Sequence, residues 1–430
     1  MGGGPPAQGG AGERAGPGGR AGAAAAGEGM PPPRPAGGQW EELFVPGRLC
    51  LLGEHSDWAG GLRSRGGPAG GSGPAPGRCL VVGTPQGLFA RARQGRPGRL
   101  EMASCASPGD RLDAPLDPAA LAERARSGSF FAYVCGTAAR ICSDFDLGPA
   151  GGLELDLHRM TLPMKVGLSS SAAVCVLVAR AFSRVFGLRL SRRGEMEYAY
   201  QGERLTPSLC GRMDQACAFG GRAISLRFDG DGPMEVRTLR VGAPLRLVLV
   251  GLRGSKDTVA ILRALHAAYP SPACEEHRRL HGLLGAVNEA LQARAEACIA
   301  AGDVEGLGAV LGEAQAEFDS RAGPLCPEQL GEAGSPKLHA LLRRPELEGR
   351  VWGGKGVGSQ GDGCAQLLCR GAEAQAELCR LLAADFDCLP MTIEASDDGG
   401  PLSPGGGPSP AGEGGGGGVG PGPGSGGAPE

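Results

Sequence analysis

The stretch Pro163-Met164-Lys165-Val166-Gly167-Leu168-Ser169-Ser170-Ser171-Ala172-Ala173 places a glycine and three hydroxyls directly before a long apolar run. Val174, Leu177, Val178, Ala181, Phe182 and Val185 then recur at helical spacing over Ser171–Phe186, and Gly187 supplies a stop. Upstream, Leu153-Glu154-Leu155-Asp156-Leu157 alternates with period two, the pattern of a half-buried strand. The unit reads as strand, glycine-containing loop, helix. The first N–H groups of such a helix lack intrahelical partners, and its dipole favours negative charge. The loop therefore reads as a phosphate cradle. An ordinary strand–helix turn capped by serine accounts for the same residues without a ligand.

Further strands and helices extend on both sides. Phe44-Val45, Leu49–Leu52 and Cys79–Val82 are short apolar runs, and Leu245–Val250 is a clear strand. Helical patterns cover Val259–Ala268, His277–Ala300, Val304–Phe318 and Ala372–Ala384, and Met391–Glu394 closes as a short strand. This mixture predicts an α+β fold in two domains, residues 40–240 and 241–395. Residues 1–39, 63–78 and 396–430 are rich in Gly and Pro and are expected to be disordered, the middle one as a flexible insert.

Composition narrows the function. A net charge of −3 over 430 residues leaves no basic footprint, which argues against nucleic acid and anionic membranes and for a small-molecule partner. No apolar run approaches the roughly 18 residues of a membrane span. The 15 cysteines are scattered without a CxxC pair, so free thiols in a reducing, cytoplasmic setting are expected. The first 39 residues contain no apolar signal core; an organellar transit role stays open, with Glu13 and Glu28 weighing against it.

Three more constellations carry chemistry. In Pro46-Gly47-Arg48-Leu49-Cys50-Leu51-Leu52-Gly53-Glu54-His55-Ser56-Asp57-Trp58, an apolar strand ends in Glu54, His55 and Asp57. These side chains suit a polyhydroxylated ligand, or a solvated turn. Glu203 in Gly202-Glu203-Arg204 precedes Asp214, in Gly211-Arg212-Met213-Asp214-Gln215, by 11 positions. One carboxylate suits Mg2+ and the other suits the proton of a substrate hydroxyl; surface ion pairing is the alternative.

The last is Lys355-Gly356-Val357-Gly358-Ser359-Gln360-Gly361-Asp362-Gly363, within a glycine-rich loop expected over Gly353–Gly363. Gly356, Gly358 and Gly361 fit a dinucleotide fingerprint, but Trp-Gly-Gly-Lys precedes them where a parallel strand should enter. Gly349 to Lys355 fits most of a Walker pattern, but Gly356 stands where Ser or Thr should bind magnesium. His277 and His281, one helical turn apart, lack a third ligand and read as a solvated helix face.

In chain order, Pro46–Asp57, Pro163–Ala172 and Lys355–Gly363 resemble the three motifs of the GHMP kinases, which include galactokinase and mevalonate kinase, and the Glu203…Asp214 pair adds to the resemblance. The resemblance spans most of the folded body and implies a two-domain α+β fold, ATP, Mg2+ and phosphoryl transfer to a small alcohol. It implies that Gly167, Leu168, Ser169, Ser170 and Ser171 wrap the ATP phosphates and that Ser171 and Glu203 hold magnesium. Asp214 resembles the catalytic aspartate, with Arg48 as the adjacent positive charge. Gly53-Glu54-His55-Ser56-Asp57 resembles the sugar-contacting stretch of galactokinase, so Glu54, His55 and Asp57 are expected at substrate hydroxyls. Gly202-Glu203-Arg204 and Phe386-Asp387-Cys388-Leu389 look more like mevalonate kinase. A sugar or sugar derivative is the expected acceptor. A mevalonate kinase-like enzyme and a catalytically silent ATP- and sugar-binding regulator are the alternatives. The oligomeric state has no signature in the sequence.

Overall fold

A computed structural model describes residues 38–62, 75–148, 151–163, 167–208, 210–230, 234–397 and 400–401. Most of the three Gly/Pro-rich segments lies outside the described residues. Two of their edges are more ordered than composition suggests. Gly77 and Arg78 already pair with Phe228 and Arg227, and Gly400-Pro401 pair with Thr238 and Arg237. Arg78 is pinned from several sides. Its N–H donates to Ser56 Oγ (2.8 Å), its carbonyl accepts from Asn288 Nδ2 (2.9 Å), and its guanidinium bonds Glu296 (2.7 Å).

Two sheets organise these residues, giving an α+β fold. The first has eight strands: β1 (Glu41–Leu52), β2 (Gly77–Gln94), β3 (Arg99–Ser104), β4 (Arg111–Pro115), β5 (Leu153–Met160), β6 (Ala223–Phe228), β7 (Glu235–Thr238) and, out of chain order, β12 (Gly400–Pro401). The second, antiparallel sheet comprises β8 (Leu245–Gly251), β9 (Val351–Gly356), β10 (Cys364–Cys369) and β11 (Asp387–Ile393), in the order β11-β8-β10-β9. β2 is the spine of the first sheet. β1 runs along one edge, while β6 and β5 share the other, at Gly77–Val82 and Leu88–Gln94. The short apolar runs at Phe44-Val45, Leu49–Leu52 and Cys79–Val82 are thus fragments of two long strands. Pro46 and Gly47 interrupt the hydropathy of β1 without ending it; a register shift between Pro46 and Arg48 absorbs them as a bulge.

The helices are α1 (Ser56–Gly61), α2 (Pro118–Arg126), α3 (Ala132–Asp144), α4 (Ser170–Val185), α5 (Arg192–Glu203), α6 (Thr258–His266), α7 (Glu275–Gly282), α8 (Asn288–Ala301), α9 (Val304–Arg321), α10 (Gly331–Gly334), α11 (Pro336–Leu342) and α12 (Ala372–Leu382). The pattern over His277–Ala300 proves to be α7 and α8 joined by a single π turn, Leu283–Val287. α4 is buried on nearly every side, beyond its predicted stripe, because it lies between β1, β2, α3 and α5. Each large apolar side chain it removes from water contributes about 1.5–3 kcal/mol. Arg180 is tolerated there because Glu195 (2.7 Å) and the carbonyls of Phe44 (2.6 Å) and Ala218 (3.0 Å) satisfy its guanidinium.

β8 connects the cores. Leu245, Leu247 and Leu249 join the first sheet's apolar cluster, and Val248 and Val250 on the opposite face pack into another with Leu338 and Leu378. The glycine-rich stretch also differs from expectation. Gly353 and Gly354 are strand, not loop, because β9 lies against α9; a Cβ on Gly353 would stand 2.0 Å from the Gly308 carbonyl. The dinucleotide reading fails on a different ground from the one expected. A strand does enter the motif, but it pairs antiparallel and another strand follows.

Candidate active site

The serine-rich loop is placed by β1. Gly47 must lack a side chain there, since a Cβ would lie 2.4 Å from Leu162 Cδ1 and 3.0 Å from the Leu168 carbonyl. With the loop this close, the Arg48 N–H donates to Leu168 O (3.2 Å) and Arg48 Nη1 to Gly167 O (3.1 Å). Gly167 (φ 81°) and Ser169 (φ 54°) both adopt left-handed backbone and turn the chain into α4. Ser169 stands at the N-cap, yet its hydroxyl makes no capping bond. The first N–H groups of α4 thus lack the cap that the ligand-free reading supplied. Met164, Lys165 and Val166 lie outside the described residues.

Arg48 links this loop to an acidic cluster. Its Nη2 pairs with Asp214 Oδ1. Asp214 opens a 3-10 turn, Asp214–Phe219, whose second residue donates from Gln215 Nε2 to Glu203 Oε2 (2.7 Å). Glu203, at the end of α5, accepts from Ser171 Oγ (2.9 Å) and Ser208 Oγ (3.4 Å) at its other oxygen. It is fully buried, and burial, then the charge of Asp214, push its acid up to about 7. Asp57 is likewise pushed up to about 6, by burial and then by Asp214. Its Oδ2 accepts from the Met213 N–H (3.3 Å), an approach that Gly211 permits, since a Cβ there would lie 1.7 Å from that oxygen.

The end of β1 divides its three polar side chains. Gly53 (φ 94°) and His55 (φ 69°) turn the chain sharply into α1. Glu54, expected at substrate hydroxyls, instead faces Lys355 Nζ in an ion pair with both partners buried. The pair ties the turn after β1 to β9, and Lys355 is a strand residue rather than the leader of a loop. His55 is pushed down to about 3, by burial first and then by His266, Lys256 and Lys355. It is neutral, and since Nδ1 accepts from Trp58 Nε1 (3.2 Å) the proton lies on Nε2. That Nε2 is buried without a well-formed hydrogen bond, although the Ser359 backbone lies close enough to raise the pKa slightly.

The family model described as the GHMP kinases N terminal domain matches residues 132–222, which hold the loop, Glu203 and Asp214. The likeness to the GHMP kinases at the level of sequence rests on this segment. The chain is similar to the mevalonate kinase of Aeropyrum pernix, 27% identical over 215 residues. The match covers 50% of this chain and 60% of the archaeal protein. The fold resembles that of Lactococcus lactis galactokinase complexed with galactose, at TM-score 0.62 and 18% identity, over 83% of this chain and 94% of that one. It also resembles L. major mevalonate kinase in complex with R-mevalonate, at TM-score 0.57 and 17% identity, over 83% and 96% of the two chains.

Ser171 and Glu203 lie side by side, joined by a hydrogen bond, and their oxygen donors suit a hard divalent cation. A buried carboxylate whose acid is raised gains most from such a cation. Gln215, Ser208, Gly211 and Lys355 were not legible as site residues. Gln215 adjoins Asp214, and Lys355 lies within a motif, but nothing local announces that either bonds a buried acid far away in sequence. His277 and His281 bond separately, to the Ala273 N–H (3.2 Å) and the Ala268 carbonyl (2.8 Å). All 15 cysteines are unpaired. Among the described residues no helix is long and apolar enough to cross a membrane.

Proposed function

We propose that this protein is an ATP-dependent kinase that transfers the γ-phosphoryl group to the hydroxyl of a small polar molecule. The observation that carries the reading is Arg48, which bonds the phosphate loop through Gly167 and the acid Asp214 at the same time. One side chain thereby fixes the donor loop relative to the candidate base. Phosphoryl transfer is mainly positioning and charge stabilisation, so a rigid distance between those groups is what the reaction requires. Residues 40–240 form the ATP-binding domain and 241–395 the C-terminal domain, each built around one of the two sheets.

In this reading the uncapped N–H groups of α4, with Gly167, Leu168, Ser169 and Ser170, hold the ATP phosphates. Ser171 and Glu203 hold Mg2+, which when bound offsets charge on the phosphate oxygens. Asp214 accepts the proton of the acceptor hydroxyl, while Arg48 orients the carboxylate. His55 donates through Nε2–H to an acceptor oxygen, and Asp57 lines the same region. A sugar or sugar derivative fits these two groups; the likeness to a mevalonate kinase keeps that acceptor in the test.

The test is an ADP-release assay over sugars, sugar derivatives and mevalonate, with parent protein and Asp214→Asn. The variant is expected to bind nucleotide as the parent does and to lose about 10²–10⁴ in turnover. Near-parental turnover would remove Asp214 from the mechanism. Magnesium-dependent nucleotide binding by the parent with no turnover on any acceptor would favour a silent regulator.

A further inference from the structure

Gln215 follows Asp214 in the 3-10 turn and is fully buried. Its Nε2 donates to Glu203 Oε2 at 2.7 Å and to Cys210 Sγ at 3.6 Å, so both amide hydrogens are placed. Its Oε1 is buried with no partner among the described residues. A buried carbonyl left unsatisfied is destabilising. The fold tolerates it because the other end of the amide meets a carboxylate, the stronger class of acceptor. Glu203 therefore sets the orientation of this side chain.

The two oxygens of Glu203 are thereby divided. Oε2 is committed to Gln215 on the closed side of the cluster, where neither residue is exposed. Among the described residues Oε1 accepts only from hydroxyls, those of Ser171 (2.9 Å) and Ser208 (3.4 Å). A hydroxyl can rotate and offer its own lone pair instead. Both serines are only half-buried, so the cluster opens on the Oε1 side. The turn that carries Gln215 also carries Asp214, which pairs with Arg48. Gln215 thus holds the candidate cation ligand at a set place relative to the candidate base.

Cation chemistry follows from that division. Ca2+ takes more oxygens, at longer distances, and readily uses both oxygens of one carboxylate. Mg2+ is smaller, keeps several of its waters and needs only a few protein oxygens. A carboxylate pinned at one oxygen can serve Mg2+ but cannot wrap Ca2+.

We propose that Gln215 is a positioning residue that sets the cation preference of the site: by committing Glu203 Oε2, it leaves one carboxylate oxygen and so favours Mg2+ over Ca2+. The inference rests on the reading of Ser171 and Glu203 as the magnesium ligands of a kinase, and on the 2.7 Å bond for the selectivity.

The experiment measures binding of a non-hydrolysable ATP analogue to the full chain by calorimetry, at saturating Mg2+ or saturating Ca2+, independently of turnover. The proteins are the parent, Gln215→Met, which keeps the length and removes the donor, and Gln215→Asn, whose amide falls one methylene short. A melting curve accompanies each. The parent is expected to bind the Mg2+ complex more tightly than the Ca2+ complex. Each variant should shrink that preference by roughly tenfold, mainly by tightening the Ca2+ complex relative to the Mg2+ one. A merely structural role would weaken both complexes alike and leave the ratio unchanged, and that result overturns the proposal. So does a parent that binds the two complexes equally, whatever the variants do. Nucleotide binding by the parent that needs neither cation would remove Ser171 and Glu203 as cation ligands, and the proposal with them. A Gln215-dependent cation preference without ADP release on any acceptor would overturn the kinase reading and leave the cation site standing.

Discussion

Glu203→Gln should stabilise this protein while disabling it. Glu203 is fully buried and its acid is held at about 7 against 4.5, by burial first and by Asp214 second. The unfolded chain ionises this group from about pH 4.5, whereas the native state keeps its proton until about 7. Between those values the native state binds a proton that the unfolded state has lost, so stability falls as pH rises. The stabilising contribution is complete below 4.5, and its loss through about 7 amounts to roughly 3 kcal/mol.

Glutamine removes that titration and keeps the shape. Its carbonyl would accept from Gln215 Nε2, and its NH2 would face the Ser171 and Ser208 hydroxyls, which can rotate to accept. Urea unfolding of both proteins from pH 4.5 to 8.5, at matched m-values, measures the difference. The curves should nearly coincide at the acid end and separate by roughly 3 kcal/mol at the alkaline end, the variant being the more stable. Added Mg2+ should stabilise the parent and not the variant. A difference that does not change with pH, or a variant less stable at pH 8.5, would refute the electrostatic account of this site.

Two packing predictions follow from the same region. Gly211→Ala drives a Cβ to within 1.7 Å of Asp57 Oδ2, so it should cost about 1–3 kcal/mol and reduce kcat/KM at least about tenfold. Gly61→Ala, whose Cβ meets nothing within 4 Å, is the control in the same melting and kinetic assays. Lys355→Met strands the buried Glu54 carboxylate and should cost about 3–5 kcal/mol, of which the Lys355→Met/Glu54→Leu double variant should recover more than half. Additive single effects in denaturant melts would contradict the pairing.

Local chemistry was enough to read several features. The strand at 153–157, the loop before α4, the helix to Val185 and the strand at Leu245 all follow from periodicity and from the residues that stop it. Such features depend on neighbours within a few positions. Where the reading slipped, a distant partner intervened. Gly353 and Gly354 resemble loop residues until α9 packs against them, and Gly77-Arg78 resembles linker until β6 and Asn288 take up its backbone.

The site divides the same way. Sequence by itself was sufficient to single out Arg48, Ser171, Glu203 and Asp214, because each stands in a motif whose residue types suit phosphate, magnesium or proton transfer. It could not say that Arg48 bonds the loop and Asp214 together, across 119 and 166 positions. Nor could it say that Glu54 is consumed by Lys355, 301 positions away. Only the tertiary structure decided those points, because burial and charge pairing depend on which side chains the fold brings within a few ångströms.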